Sequence, residues 1–231
     1  MKLRISILVL IITLTASCKQ TPAGIPSGSW NYDLIVNGVK AGTASVSNEK
    51  AGDTYILKSE MALSVGSIEN RSMQVIKETT DFKPLSLEML NTVKDNSSGK
   101  TQVINKTATF NGNEVSLTSG DYKSTFKIEE PFILDGNYFF SELLKTSFKK
   151  GTKVKANIYE PTVELEDPIL VVVEVMGYEK IDINGKTKKL MHIKHKVEKL
   201  KSLDVYINDN GVTEKVVIKM LNNVFELVKV D

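Results

Sequence analysis

Apolar and polar residues alternate with a period of two over most of the chain from Trp30 to Asp231. In one segment, Tyr55 and Leu57 share a face with further apolar residues, whereas Lys58 and Glu60 occupy the opposite face. Successive side chains of a β-strand point to opposite faces of its sheet, so this pattern predicts antiparallel strands that are buried on one side. It constrains the fold more than any other feature of the sequence.

Turn sequences divide the alternating segments. Asn37-Gly38, Asn184-Gly185 and Asn210-Gly211 are typical of tight hairpins, because Asn and Gly tolerate positive φ angles. We expect about 14 strands, against the roughly 5–6 of an average sheet, and a sheet of that size must curl or close. The apolar run Ile169–Val173 predicts a strand that is covered on both faces.

One segment, near residues 135–150, has a helical pattern instead. Asp135 is a candidate N-cap, and Phe140, Leu144 and Phe148 recur at a spacing of four residues. We predict that these three side chains pack against the sheet. The predicted fold is therefore mainly β (all-β or α+β), a strongly curved antiparallel sheet or open barrel with one packed helix.

The N-terminus has the organisation of a secretory signal. Basic Lys2 and Arg4 precede the apolar stretch Ile5–Leu14, and small residues then lead to Cys18, the single cysteine. The stretch is about 10 residues long, shorter than the ~20 that a membrane-spanning helix requires. We predict that residues 1–17 are a cleaved signal peptide.

The segment Leu14-Thr15-Ala16-Ser17-Cys18 resembles the lipobox of bacterial lipoproteins. Leucine commonly stands three residues before the cysteine in that motif, where this chain has Thr15. The resemblance implies that the Cys18 thiol receives diacylglycerol and that the new N-terminus is acylated, usually with palmitate. Each buried methylene contributes about 0.8 kcal/mol, so two or three acyl chains hold a protein on a membrane.

Residues 18–29 are rich in Pro and Gly and predict a flexible linker between the lipid and one β-rich domain over residues 30–231. No acidic run follows Cys18, whereas surface-exported lipoproteins of some Bacteroidetes resemble one another in carrying one. We therefore expect a lipid-anchored protein of the cell envelope, on the outer membrane and facing the periplasm.

The charge of the mature chain argues against nucleic-acid binding. The full chain has 30 basic and 28 acidic side chains. Loss of residues 1–17 removes Lys2 and Arg4 and no acidic residue, which leaves equal numbers of both. A neutral domain offers no basic surface for phosphates.

Histidine and cysteine offer no metal site. His192 and His195 are three residues apart on a predicted strand, so they point to opposite faces and cannot bind one metal ion. We expect His195 to be a hydrogen-bonded core residue and His192 to be solvated. The thiol of Cys18 is assigned to lipidation, and the chain has no Gly-x-Ser-x-Gly nucleophile motif.

Glu164 and Glu166 would share one face of a strand, a spacing that could serve calcium or a pair of glycosidase carboxylates. Solvated edge residues that discourage sheet-to-sheet pairing show the same pattern more often. We predict no catalytic residue, no metal and no cofactor.

Methionines occupy several predicted strands. Because methionine adapts its shape, they indicate either plain core or a tolerant apolar pocket. They are Met61, Met73, Met89, Met176, Met191 and Met220.

Three segments of the chain resemble a family of exported bacterial proteins, the domain of unknown function 3108. They are Tyr32–Ala44, Asp81–Leu85 and Leu203–Gly211. The chain lacks the Trp and Pro that members often carry near the last of these hairpins. The resemblance implies an exported β-rich protein, and it brings no catalytic residues.

Together these features predict a non-catalytic envelope lipoprotein that binds an apolar small molecule or lipid within the curve of its sheet. Two alternatives remain open: a structural or interaction module with a filled core, and a hydrolase that uses Glu164 and Glu166. An open apolar cavity would favour the first, a filled interior the second, and converging carboxylates the third.

Overall fold

The computed structural model of the protein describes residues 22–162, 164, 166–198, 202–220 and 222–230. The predicted signal peptide, the lipobox and the lipidation site Cys18 lie outside the described residues. No helix within those ranges is both long enough and apolar enough to span a membrane.

The described chain forms fifteen strands and one helix. The first eight strands are β1 (Gly28–Val36), β2 (Val39–Ala51), β3 (Thr54–Val65), β4 (Ile68–Thr79), β5 (Pro84–Asp95), β6 (Lys100–Asn111), β7 (Glu114–Ser119) and β8 (Tyr122–Lys127). After β9 (Phe132–Ile133) and α1 (Asn137–Lys145) come β10 (Lys153–Ile158), β11 (Ile169–Ile183), β12 (Lys186–Val197), β13 (Ser202–Ile207), β14 (Thr213–Met220) and β15 (Asn223–Lys229).

All fifteen strands belong to one sheet, in the order β8 to β1 followed by β15 to β9. The first and last strands are therefore neighbours in the middle of the sheet, with Leu34 paired to Leu227. The pairings are antiparallel except for that of β9 with β10, which is parallel. The mainly β prediction, with a curved antiparallel sheet and a single helix, is confirmed.

Chain connectivity requires this sheet to curl. Strands β8 and β9 lie at opposite edges of the sheet, and a flat sheet of fifteen strands would separate them by about 67 Å. Only residues 128–131 connect the two strands, and a connection of that length spans at most about 18 Å. The two edges are thus brought together, and Lys106 Nζ of β6 donates a hydrogen bond to the Pro161 carbonyl beyond β10, at 2.5 Å.

Two apolar clusters fill most of the interior. One packs Phe139 and Leu143 of α1 against β11–β13, around the fully buried Val173. The other joins β4–β7 to the segment around β9, with Tyr159 at its centre and Leu87 and Leu117 on the sheet. The aromatic rings of this second cluster meet at centroid distances of about 6 Å, a range in which edge and offset contacts are favourable.

The helix is shorter than predicted and turned relative to the predicted orientation. Phe139 and Leu143 are its most deeply buried apolar side chains, whereas the predicted Phe140 and Leu144 are partly buried and pack against the same cluster. Phe148, the third predicted residue, follows the helix and is buried, at 3% exposed. Gly136 stands at the N-cap position, and the Asp135 carboxylate instead accepts the backbone N–H of Asn137 at 2.9 Å. The apolar residues Phe139, Phe140, Leu143 and Leu144 are adjacent pairs, so their spacing alone does not decide which pair faces inward.

Residues 22–27, part of the predicted linker, lie against the domain. Pro22 is buried, and the Ser27 hydroxyl donates to the Asn48 carbonyl at 3.0 Å. Pro26 reaches the interior beside Gly211, whose φ is +79°. A Cβ at Gly211 would collide with the ring of Phe140, so this turn depends on glycine for space as well as for conformation.

Candidate functional site

The curled sheet encloses a cavity of about 330 Å³ between α1 and strands β1–β4 and β11–β14. This volume is at the lower end of the range typical of small-molecule sites, roughly 300–1,000 Å³. Most of the lining is aliphatic or aromatic. The apolar lining includes Val46, Leu57, Ile76, Phe139, Leu143, Val173, Ile193, Val205 and Ile207.

The alternating pattern of the sequence places these residues inside. Asn48 is paired with Leu57 across β2 and β3, and Leu57 is paired with Ile76 across β3 and β4. Directly paired residues of adjacent strands share a face, so the three side chains form one inward row. Val46 lies two residues from Asn48 and lines the same wall.

One end of the cavity is polar, because Asn48, Asp135 and Asn137 line it there. The Asn48 amide nitrogen donates to the Pro26 carbonyl at 2.9 Å and to Asn137 Oδ1 at 3.1 Å. Asn137 Nδ2 in turn donates to Glu78 Oε1 at 3.2 Å. A directed hydrogen-bond chain therefore connects β2, the start of α1 and β4.

Glu78 and Asp135 form a buried carboxyl pair behind this chain. The Glu78 side chain is 0% exposed, and burial together with the neighbouring Asp135 raises its pKa to about 9. Burial also raises the pKa of Asp135, against the hydrogen bond from the Asn137 backbone N–H. Two adjacent buried carboxyls cannot both ionise at low cost, so the pair holds one proton at neutral pH, on Glu78.

Aromatic rings lie beside Glu78 at this end of the strands. Tyr55 is the cross-strand neighbour of Glu78, and its ring stacks on Phe82 with centroids 6.2 Å apart. Phe82 also meets Tyr138 of α1 edge to face at 5.9 Å. Phe82 has a positive φ of 63°, an uncommon conformation that turns its ring back over the strand it follows.

His195 lines another part of the same cavity, next to Phe139 at a centroid distance of 6.4 Å. Burial lowers its pKa to about 4, so the ring is neutral at pH 7. His195 is half-buried at the cavity wall, and the hydrogen bond predicted for it stays a prediction. Trp30 and Pro26 also contribute to the lining, beside the turn at Gly211.

His192, on the other face of β12, is only 8% exposed, so the prediction that it is solvated is wrong. Its ring nitrogens lie 2.8 Å from Glu179 Oε1 and 2.9 Å from Asp204 Oδ1. The ring also stacks on Tyr206, with centroids 4.8 Å apart. Carboxylates on both neighbouring strands satisfy the ring, an arrangement that the sequence of β12 alone could not reveal.

Glu164 and Glu166 do not share a strand face. Both lie in the connection between β10 and β11, and the Glu164 backbone N–H donates to the Glu160 carbonyl at 3.2 Å, as in a turn. Pro161 precedes them and Pro168 follows them. Because proline cannot donate a hydrogen bond to a neighbouring strand, β10 ends before this segment and β11 begins after it. Within the described ranges, no three Asp, Glu, His or Cys side chains are placed to hold a metal ion.

Methionine does not form the cavity wall. No methionine is among the described residues that line it; Met191 lies in the core beneath α1, and Met73 is exposed on β4. The polar residues of the site were also not predicted. For Glu78 the alternation of β4 indicates burial, because Glu78 lies on the same inward face as Gln74 and Ile76.

Neither a family model nor a curated protein matches this chain. Its resemblance to the domain of unknown function 3108 therefore stays a prediction. Among solved structures, the chain is similar to a β-barrel-like protein of the domain of unknown function DUF1849 from Brucella abortus. That match has a TM-score of 0.61 at 10% identity and covers 88% of this chain and 95% of the other.

A second match is a chain from Parabacteroides distasonis that is described as a lipoprotein, also at 10% identity. It covers 89% of this chain and 95% of the other, with a TM-score of 0.32. A score that low does not establish a common fold, so only the first match bears on the architecture. That match supports a curved β-barrel-like fold.

Proposed function

We propose that this protein is a non-catalytic lipoprotein of a bacterial cell envelope that binds an apolar ligand inside its curled sheet. The cavity of about 330 Å³ between α1 and the sheet is the observation that carries the proposal. Its lining is mostly apolar with several polar groups, among them the cluster of Asn48, Asp135 and Asn137, which is the usual composition of a small-molecule site. The anchor is the lipid on Cys18, and the protein faces the periplasm from the outer membrane.

The alternative of a structural module also has an observation in its favour. Two packed clusters fill the interior on either side of the cavity, so most of the barrel is closed by its own side chains. A module of this kind needs no ligand, and its cavity would be a packing defect. The two functions differ in whether the cavity takes up an apolar molecule.

Binding is tested by titrating the solvent-extracted protein with N-phenyl-1-naphthylamine, whose fluorescence rises in apolar surroundings. We expect saturable binding of one molecule per chain. Val46→Phe and Val205→Phe, which add bulk to two different strands of the cavity wall, should each weaken binding at least tenfold. Val103→Phe is the matched control, because Val103 is 61% exposed on β6 and does not line the cavity.

The absence of saturable binding by a folded wild-type protein would reject the ligand-binding function in favour of the structural module. Binding that the two cavity variants leave unchanged would show that the probe occupies another surface. Circular dichroism melting curves of the variants establish that each one folds.

The anchor is tested separately by Cys18→Ala. We expect the variant either to remain an unprocessed precursor or to leave the membrane fraction, because the lipid cannot attach without the thiol. Wild-type protein that is processed in the presence of globomycin and recovered as a soluble chain would contradict lipidation.

A further inference from the structure

The polar end of the cavity contains a hydrogen-bond acceptor that the protein does not use. Asn48 is 7% exposed, and its Oδ1 has no partner among the described residues. A buried carbonyl oxygen without a partner costs free energy. The Asn48 residue lines the cavity, so a small shift of its side chain would bring this oxygen into contact with a bound molecule that carries an N–H or O–H group.

The orientation of the Asn48 amide is determined by its neighbours. Its nitrogen contacts the Pro26 carbonyl oxygen and Asn137 Oδ1, and both of these atoms are acceptors. Asn137 cannot be reversed without separating its own nitrogen from Glu78 Oε1. The oxygen of Asn48 is therefore the atom left without a partner, because exchanging the two ends of the amide would place acceptors against each other.

The same end of the cavity holds two carboxyl groups that have no basic partner among the described residues. Asp135 lines the cavity, and its Oδ2 and Glu78 Oε2 are buried oxygens without a hydrogen-bond partner in that part of the chain. Burial raises the pKa of Glu78 further than that of Asp135, so the pair holds one proton and one negative charge at neutral pH. No ion pair in the described ranges joins either carboxyl to a lysine or arginine. Lys58 lines the cavity, but its side chain is exposed, and the half-buried His195 is neutral.

We propose that the cavity binds a single-chain amphiphile whose head group donates hydrogen bonds and is positively charged, in the simplest case an alkylammonium ion. The head group lies against Asn48 and Asp135, and the alkyl chain extends along the apolar wall from Leu57 towards Val173. This inference rests on the proposed function and specifies the class of its ligand.

The chemistry of the pocket separates this ligand from a fatty acid. An ammonium group can donate to Asn48 Oδ1 and to the Asp135 carboxylate while it neutralises the shared charge. A fatty carboxylate would instead place a second anion beside the pair and would offer no donor to Asn48. A neutral alcohol falls between them, because its hydroxyl donates one hydrogen bond and leaves the charge uncompensated.

The test is a displacement experiment with three ten-carbon compounds against N-phenyl-1-naphthylamine at pH 7. The compounds are decylamine, decanol and decanoate, each used below its micelle concentration. We expect decylamine to bind about tenfold more tightly than decanol and at least a hundredfold more tightly than decanoate, where each factor of ten corresponds to about 1.4 kcal/mol.

The variant Asp135→Asn preserves the shape of the side chain and removes its charge. It should weaken decylamine binding about tenfold and change decanol binding less than twofold. Asp121→Asn, in the exposed turn between β7 and β8, is the matched control and should change neither. The wild-type series needs no variant, so it decides the question even if Asp135→Asn does not fold.

The outcomes separate the two proposals. If the probe itself does not bind, the ligand-binding function fails. If the probe binds but none of the three compounds displaces it, the ligand-binding function stands and the inference about the ligand class is wrong. If all three compounds displace it equally, or decanoate does so best, the ligand-binding function stands and the inference about the head group is wrong. An unchanged preference for decylamine in Asp135→Asn would also overturn the inference.

Discussion

Glu78 retains a proton inside the protein because its environment cannot solvate a negative charge. The side chain is completely buried, lies beside Asp135 and is the cross-strand neighbour of Tyr55. A proton on Glu78 leaves the pair with a single charge, although Glu78 Oε2 and Asp135 Oδ2 have no hydrogen-bond partner among the described residues. The cost of the pair therefore depends on pH.

We expect the free energy of unfolding to fall as pH rises from 7 to 9. In this window the folded protein keeps the Glu78 proton, whereas the unfolded chain has released it, so alkaline conditions favour unfolding. The slope for one such proton is at most about 1.4 kcal/mol per pH unit. Glu78→Gln, which has a similar shape and does not titrate, should remove this slope in urea titrations.

His195 is neutral in the folded protein throughout the window, and its remaining titration in the unfolded chain near pH 7 is the same in the wild type and in Glu78→Gln, so it cancels in the comparison. Glu88→Gln is the control, since Glu88 is exposed on the adjacent strand β5 and should leave the slope unchanged. Equal slopes in the wild type and in Glu78→Gln would contradict the shared proton.

Individual residues differ in how well the sequence predicts them. Glycine is required at two positions of the first hairpin. Gly38 has a φ of +80° in the Asn-Gly turn, and a Cβ at Gly42 would overlap the Ala62 carbonyl oxygen of the neighbouring strand. The turn sequence predicts the first of these requirements. The burial of His192 follows from partners on neighbouring strands, such as Asp204. The alternation of β4 places Glu78 inside, but no local pattern specifies its neighbour Asp135.

Among the elements, the strands were predictable and the orientation of α1 was not. Alternation and turn residues define the hairpins, since a shift of one residue would expose every buried side chain of a strand. The helix contains two adjacent apolar pairs, and its rotation depends on the surface it meets. The side chain of Asn137 helps to hold that rotation, because it bonds to Asn48 and Glu78 on two different strands.

We expect Phe139→Ala to destabilise the protein by about 3–5 kcal/mol, because the Phe139 ring is 3% exposed in the core beneath α1. Phe140→Ala should cost clearly less, since Phe140 is only partly buried and packs against Phe148 near the end of the helix. Urea unfolding of both variants measures the difference. A larger loss in Phe140→Ala would mean that the helix presents the face predicted from spacing.

The overall fold depends on the order in which the strands pair, and the alternating sequence pattern does not specify that order. Counting strands predicted that the sheet must curl, but not that β1 pairs with β15 or that four residues bring β8 and β9 together. These long-range choices create the cavity, since they place α1 between β2–β4 and β11–β13. The polar end arises in the same way, from residues on β2, β4 and the segment that precedes α1.

Native mass spectrometry of the protein purified from its own membranes tests the central claim, occupancy of the cavity, most directly. Wild-type protein and the cavity variant Val46→Phe have the same N-terminal sequence and hence the same processing, so any difference in mass beyond the substitution reports the bound ligand. We predict one additional small molecule per wild-type chain, lost on solvent extraction and absent from Val46→Phe. Masses that differ only by the substitution would contradict a ligand-binding cavity.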